Sequence, residues 1–331
     1  MTILITGAAG FIGSHVAQAL LARGDQVVGI DNLNDYYSVA LKRARLERLD
    51  GKPGFSFIQA DVADKASIDG VLAQAKAEGQ KVTGIIHLAA QAGVRYSLEN
   101  PYAYADANVM GQVVMLEAAR SLDRLDHFVY ASSSSVYGSN TKLPFSIDDP
   151  VDHPVSLYAA TKRAGELITH SFSHIHKLPT TGLRFFTVYG PWGRPDMAAY
   201  LFCDAIMAGR PIRVFNEGRM ERDFTYIDDI VAGIVAALDR PAAPDERHVP
   251  ARLYNLGNHR SENLLHFISL IEEALGRKAE KNLEPMQAGD VPATYADIAA
   301  SVRDLGFDPV TPIEVGIPKF VAWYKAYHGI A

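Results

Sequence analysis

A single cysteine, Cys203, stands among the 331 residues. An intrachain disulfide is therefore impossible, and a lone thiol in an apolar stretch reads as a small core residue. Positive charge is not in excess: Lys plus Arg number 32 against 38 Asp plus Glu, a net charge of −6. Such a chain has no cations to spare for neutralising phosphates, which gives no support to a nucleic-acid partner. No apolar run reaches the ~18 residues that span a bilayer. The opening MTILITG lacks the basic segment of a secretory signal and starts like a strand. The expectation is a cytoplasmic protein with no membrane partner. Internal repeats and low-complexity tracts are also missing.

What is present is an ordinary globular mix, 48% hydrophobic and 21% charged, long enough to bury a large core in two lobes. The first half alternates short apolar runs with helical patterns. TILIT, QVVGID, FSFIQAD, GIIHLAA and HFVYAS read as strands, and SHVAQALLARG as a helix stopped by Gly24. Strand and helix in alternation, with strands apolar throughout, predict a parallel sheet covered on both faces. The expected fold is α/β: a Rossmann-type doubly wound parallel sheet with a smaller, mixed α/β C-terminal substrate lobe. Residues 1–182 are expected to form the dinucleotide domain and 183–331 mainly the substrate domain, with a later segment, about 224–258, returning to the first. The second lobe is marked by frequent proline and glycine, as in YGPWGRPDM.

ITGAAGFIGSH sets Gly7, Gly10 and Gly13 directly after the first strand and at the start of a helix. Gly7 permits a tight turn, Gly10 lets backbone approach a pyrophosphate, and Gly13 lets helix and strand pack closely. The helix N-terminus then faces the phosphates. A carboxylate about 20 residues on accepts hydrogen bonds from the adenosine ribose and repels a 2′-phosphate. Asp31 holds that place and favours NAD, although DNLND also has turn character. Asp61 ends the third strand, where it reaches an adenine amino group or caps the helix starting near Lys65.

Tyr158 and Lys162 in YAATK fall one turn apart on one helix face. An ammonium beside a phenol, together with a positive nicotinamide, favours the phenolate and lowers its pKa toward that of a general base. The glycine spacing, the HLAA strand end (His87 to Ala90) and this pair resemble the extended short-chain dehydrogenase/reductases over nearly the whole chain, and within them the nucleotide-sugar 4-epimerases.

That resemblance implies an NAD-dependent enzyme acting on a UDP-sugar, and it places Phe11, Ile12, Asn32, Val62, Ala89 and Ala90 against the cofactor beside Tyr158 and Lys162. It also implies a serine or threonine three residues before VYG, here Ser133, that orients the substrate alcohol. In a strand Ser133 and Ser135 would share a face and both meet substrate, with Ser132 and Ser134 left as a solvated turn. Related dehydratases and decarboxylases carry acids where Ser134 and Ser135 stand, so hydroxyls there favour simple hydride removal and return.

LRFFTVYGPWGRPDMA (183 to 198) is similar to the UDP-glucuronate 4-epimerases. Thr187 stands where galactose-type enzymes have Asn. Arg194 is expected on the sugar carboxylate or adjacent phosphate, since a guanidinium matches a carboxylate bidentately. A sugar without the acid would then leave Arg194 unpaired. NDYYSVALKRARL, from Asn34, supports the same subgroup. Arg222 is placed on the diphosphate and Asp290 on the uridine ribose. Asp228 and Asp229 open a helix and read as N-caps. His170 and His174, four apart on a helix, lack a third ligand, so no metal is expected. Helices after Pro101 and Leu157 carry surplus apolar residues, which with the resemblance implies a homodimer. The implied reaction is inversion of C4 of UDP-glucuronate through a 4-keto sugar. A UDP-galactose 4-epimerase, a UDP-glucuronate decarboxylase or a non-catalytic dinucleotide-sensing regulator are the alternatives on this fold.

Overall fold

The computed structural model describes residues 1–286 and 291–330. The five expected strands form as β1 (Thr2–Thr6), β2 (Gln26–Asp31), β3 (Phe55–Gln59), β4 (Val82–His87) and β5 (His127–Ser133), and β6 (Thr180–Phe185) follows. Four short strands come next: β7 (Thr187–Tyr189), β8 (Ile212–Phe215), β9 (Glu221–Arg222) and β10 (Phe224–Tyr226). After them are β11 (Ala251–Leu256), β12 (Glu262–Asn263) and β13 (Lys281–Glu284). The main sheet has the order β3-β2-β1-β4-β5-β6-β11, and every pairing in it is parallel. The remaining strands make three two-stranded pairs, β7 with β10, β8 with β13 and β9 with β12.

Helices α1 (Phe11–Ala22), α2 (Val39–Glu47), α3 (Lys65–Ala77), α4 (Tyr96–Glu99), α5 (Pro101–Tyr104), α6 (Gly111–Ser121), α7 (Leu157–His176), α8 (Ala198–Met207) and α9 (Ile227–Leu238) connect these strands. The sheet is covered on both faces because β1 turns apolar residues to each. Ile3 and Ile5 join the core that holds Val16 and Leu20 of α1 and Ile230 and Ile234 of α9. Leu4 points the other way, into the core of Val71 from α3 and Met115 from α6. The strand ends thus all open on one edge of the sheet, where ligands of such folds collect. Cys203 is buried in the core. No described helix is long and apolar enough to cross a membrane.

Three local readings are corrected. Helix α3 is capped by Asp64, whose side chain accepts from Ala66 N at 3.0 Å, so Asp61 is not the cap. Helix α9 starts after Tyr226 without a side-chain cap. Asp228 and Asp229 sit in its first turn, where the helix field favours acids, and Asp229 accepts from Thr311 N at 3.1 Å. The strand carrying the serines ends at Ser133, and Ser134–Tyr137 form a 3₁₀ turn. The alternation that would align Ser133 with Ser135 therefore stops between them. His170 and His174 are exposed on α7, and no group of three His, Cys, Asp or Glu residues gathers among the described residues.

Candidate active site

One cleft runs along the C-terminal ends of the parallel strands. At its floor the chain leaves β1 through Gly7, at φ +72°, and enters α1, whose first residues have no side-chain cap. The amides of that first turn face the cleft as an anion-binding end. A Cβ on Gly10 would lie 2.8 Å from the Gly7 carbonyl oxygen, and one on Gly13 only 2.1 Å from it. Neither position admits a side chain, so the turn stays flat against the helix. Asp31, buried at the end of β2, accepts from Ala9 N at 3.2 Å and Leu33 N at 2.9 Å. Burial pushes its carboxyl up, while those amides and the nearby Lys42 oppose the rise. Asp61 accepts from the Asn32 amide at 2.9 Å, which ties the ends of β2 and β3 together. Gly7, Gly10, Phe11, Ile12, Gly13, Asp31, Asn32, Asp61, Val62, Ala89 and Ala90 all line this half of the cleft. A side-chain-free turn, a bare helix N-terminus and a carboxylate on the next strand suit a dinucleotide, its phosphates and its ribose.

The other half is built by side chains. Ser156 caps α7 by accepting from Ala159 N at 3.1 Å, which starts the helix so that Tyr158 falls in its first turn. Ser133, Ser135, Tyr158, Lys162, Thr187 and Arg194 all line the cleft here. Ser133 accepts from Ser135 N at 3.2 Å and stands by the Tyr158 phenol. Lys162 donates to the Ala131 carbonyl at 3.0 Å. Burial drags its ammonium down to about 8, while Glu166, four residues on, holds it up. Burial pushes Tyr158 up, and the groups that oppose this are Ser133 and Arg194. The expected lowering needs the positive ring of a bound cofactor as well as the protein.

Arg194 is not left unpaired in the absence of a ligand acid. Its Nε donates to Asp196 at 3.0 Å and its Nη2 at 2.5 Å, and the Tyr36 hydroxyl donates to the same carboxylate at 3.0 Å. A neutral sugar would therefore not strand this cation, contrary to the expectation from sequence. Arg222 donates to the Glu221 and Pro292 carbonyls at 2.8 and 3.2 Å, outside the cleft lining. Asp290 lies outside the described residues.

Several residues at the site do work that the sequence did not assign them. Ser132 is buried rather than solvated and donates to Glu166 at 2.7 Å. Glu166 forks onto Arg184 at 2.8 and 2.9 Å, with both side chains 1% exposed, and accepts from Arg163 at 3.1 Å. This network underlies the end of β5 and presents Ser133 to the cleft. Asn108, in a π-helical turn between α5 and α6, accepts from Gln91 N at 2.8 Å and donates to Gln91 O and Thr161, both at 3.0 Å. It locks the loop after β4 to the helix of Tyr158. Tyr36 and Lys42 also line the cleft. The sequence marked their segment as a subgroup signature but assigned it no task.

A family model described as the NAD dependent epimerase/dehydratase family matches residues 3–257. A probable UDP-glucuronate 4-epimerase of Rhizobium meliloti is 48% identical over 336 residues, covering 98% of this chain and 97% of the relative. UDP-glucuronate 4-epimerase 4 of Arabidopsis thaliana is 48% identical over 338 residues, covering 99% of this chain and 76% of the relative. Among solved structures, the UDP-glucuronic acid 4-epimerase from Bacillus cereus in complex with UDP-glucuronic acid and NAD superimposes with a TM-score of 0.89 at 34% identity, over 99% of this chain and 100% of that one.

Proposed function

The chain belongs to the NAD dependent epimerase/dehydratase family, and from that premise we propose that it inverts C4 of UDP-glucuronate to give UDP-galacturonate, with NAD as its cofactor. The observation that carries this is the meeting of Ser133, Tyr158 and Lys162 with Arg194 in one cleft whose other half suits a dinucleotide. NAD, held by the glycine turn and Asp31, would supply the acceptor for the C4 hydride and the source of its return. Tyr158 takes the O4 proton and gives it back. Ser133 orients that hydroxyl and, with Arg194, opposes the rise that burial imposes on the phenol, while the Lys162 ammonium one turn on would add its positive charge to that of the nicotinamide. Ser134 and Ser135 offer hydroxyls and no acid, so nothing in the turn promotes elimination. Thr187 and Arg194 hold the sugar carboxylate. The 4-keto acid is prone to lose carbon dioxide, and a held carboxylate stays out of the alignment that favours it.

Arg222 and Asp290 serve the UDP end on this reading, and residues 183–331 mainly bind the UDP-sugar while 1–182, with about 224–258, hold NAD. The protein is a cytoplasmic homodimer. Exposed Tyr102, Met110, Leu157 and Leu167 on α5, the π-helical turn and α7 supply the apolar face. Incubation with UDP-glucuronate without added NAD, followed by anomeric proton NMR, tests the reaction. UDP-galacturonate is expected. A pentose product identifies a decarboxylase instead, and no turnover in protein shown to retain NAD leaves only a binding role.

A further inference from the structure

Helix α2 carries a cation that the proposed chemistry does not use. Arg45 is 0% exposed. Its Nε donates to Trp192 O at 3.0 Å, and Nη2 donates to Trp192 O at 2.7 Å and Gly193 O at 3.1 Å. Nη1 donates to Ala9 O at 3.2 Å and to the Tyr37 hydroxyl at 2.7 Å. A guanidinium has five N–H groups, and each has a partner here. Among the described residues none of those partners is a carboxylate. No N–H remains for a ligand, so any role Arg45 has is exerted through the backbone it holds.

That backbone belongs to both halves of the cleft. Ala9 lies in the turn between Gly7 and Gly10, and its own N–H donates to Asp31. Trp192 and Gly193 immediately precede Arg194. Trp192 sits at φ +66°, a conformation that costs a side-chain-bearing residue free energy and persists only where contacts over-determine it. Arg45 supplies two of those contacts, and Arg48, one turn further along, lies over the Trp192 ring at 4.6 Å. Tyr36, just before α2, adds the bond to Asp196.

We propose that Arg45 is a positioning residue that couples the glycine turn to the loop bearing Arg194, so that binding of a dinucleotide and binding of an acidic sugar nucleotide reinforce each other. The proposal rests on the function proposed above for its two ligands. Among the described residues no carboxylate is hydrogen-bonded to Arg45. Asp31, the acid that feels its charge, is itself tied to the Ala9 and Leu33 amides, so carbonyl dipoles and one hydroxyl compensate the buried cation incompletely. An anionic diphosphate at the bare end of α1 adds the missing negative charge. It thereby stabilises the guanidinium in the one plane that also fixes Trp192 and Gly193. Lysine, with a point charge and three donors, cannot span both loops.

The test measures binding and not turnover. In a Tyr158→Phe background, calorimetry gives the Kd of UDP-glucuronate with NAD bound and after its removal. With Arg45 intact, NAD should tighten that Kd by about tenfold or more, within the usual range of such couplings. UDP-glucose, which has no acid for Arg194, should show a smaller factor. Arg45→Met should bring the UDP-glucuronate factor close to one while the protein still melts cooperatively. An unchanged factor in folded Arg45→Met overturns the proposal. Should that variant not fold, Tyr37→Phe and Arg45→Lys decide: a reduced factor in both supports the coupling, and an unchanged factor in either overturns it. Failure of UDP-glucuronate to bind the NAD-loaded protein with Arg45 intact removes the functional reading itself, and the coupling with it.

Discussion

The two ends of the cleft are made of different material. The dinucleotide end is backbone: a turn of three glycines, an uncapped helix start and the tips of adjacent strands. The sugar end is side chain: Tyr36, Ser133, Tyr158 and the Arg194–Asp196 pair arrive on four separate segments and are fixed by one another. A backbone site tolerates exchange of most neighbouring side chains but no added Cβ. A side-chain site is the reverse, since each member is held by a partner that a single substitution removes. The comparison also locates the chemistry. Groups that exchange a proton must be side chains, whereas phosphates need only amides and a helix end.

The sharpest way to break the comparison is Tyr158→Phe. Turnover of UDP-glucuronate should fall by about 10²- to 10⁴-fold, the usual contribution of a positioned acid-base group. Retained NAD, read by absorbance after denaturation, should be unchanged, because the dinucleotide end is independent of that hydroxyl. Near-normal turnover would remove Tyr158 from the reaction.

Arg194→Ala comes next. It should lower kcat/KM for UDP-glucuronate by about 30-fold or more, equivalent to about 2 kcal/mol for losing the cation on the sugar carboxylate; the Arg194–Asp196 pair is itself partly exposed. Asp196 is left with only the Tyr36 hydroxyl. Residual activity on UDP-glucose should change less, because only the acidic sugar offers Arg194 a carboxylate. Equal losses on the two sugars would make Arg194 structural or a diphosphate ligand.

Gly13→Ala probes the opposite end. With its Cβ placed 2.1 Å from the Gly7 carbonyl oxygen, the turn must shift. The expected stability loss is about 1–3 kcal/mol, as for other overpacked sites, together with loss of retained NAD. Thermal melts and cofactor content check both, and a variant that keeps full NAD content would contradict the close-packed turn.

A pH profile separates the ends further. Lys162 sits near 8, pulled down by burial and held up by Glu166. Its ammonium is present below that value and lost as pH rises through it, so kcat/KM should decline on the alkaline side around pH 8. Glu166→Gln removes the anion that favours the charged form, so the same decline should begin at lower pH. An unmoved alkaline limb would show that Lys162 does not control it. The smallest effect is expected from Ser132→Ala, which removes one of the bonds to Glu166. About 1 kcal/mol of stability should go, with kcat almost unaltered, since Glu166 keeps Arg184 and Arg163. A collapse of kcat would place Ser132 in the chemistry rather than beneath it.

The dinucleotide end was readable in advance because its determinants are close together in the chain. Strand, glycines and helix follow in order, and Asp31 and Asp61 mark strand ends whatever the rest of the protein does. Tyr158 and Lys162 were readable for the same reason, one helical turn apart. The readings that failed are those where a local rule met a distant partner. Ser132 reads as a turn hydroxyl until α7 brings Glu166 over it, and the strand alternation across the serines stops at a 3₁₀ turn. Arg194 reads as an unpaired cation until Asp196, itself held by the distant Tyr36, pairs with it.

The sequence by itself determined the parallel sheet, the glycine turn at its edge and the helical spacing that sets Tyr158 and Lys162 on one face. These follow from periodicity of two and 3.6 residues and from what glycine permits. Only the tertiary structure decided which charges are already spent. Glu166 takes Arg184 across 18 residues, Arg45 takes the Trp192 carbonyl across 147 and Tyr36 takes Asp196 across 160. Whether a buried charge is free for a substrate depends on which polar atoms lie within ~3 Å of it, and packing sets that distance independently of separation along the chain.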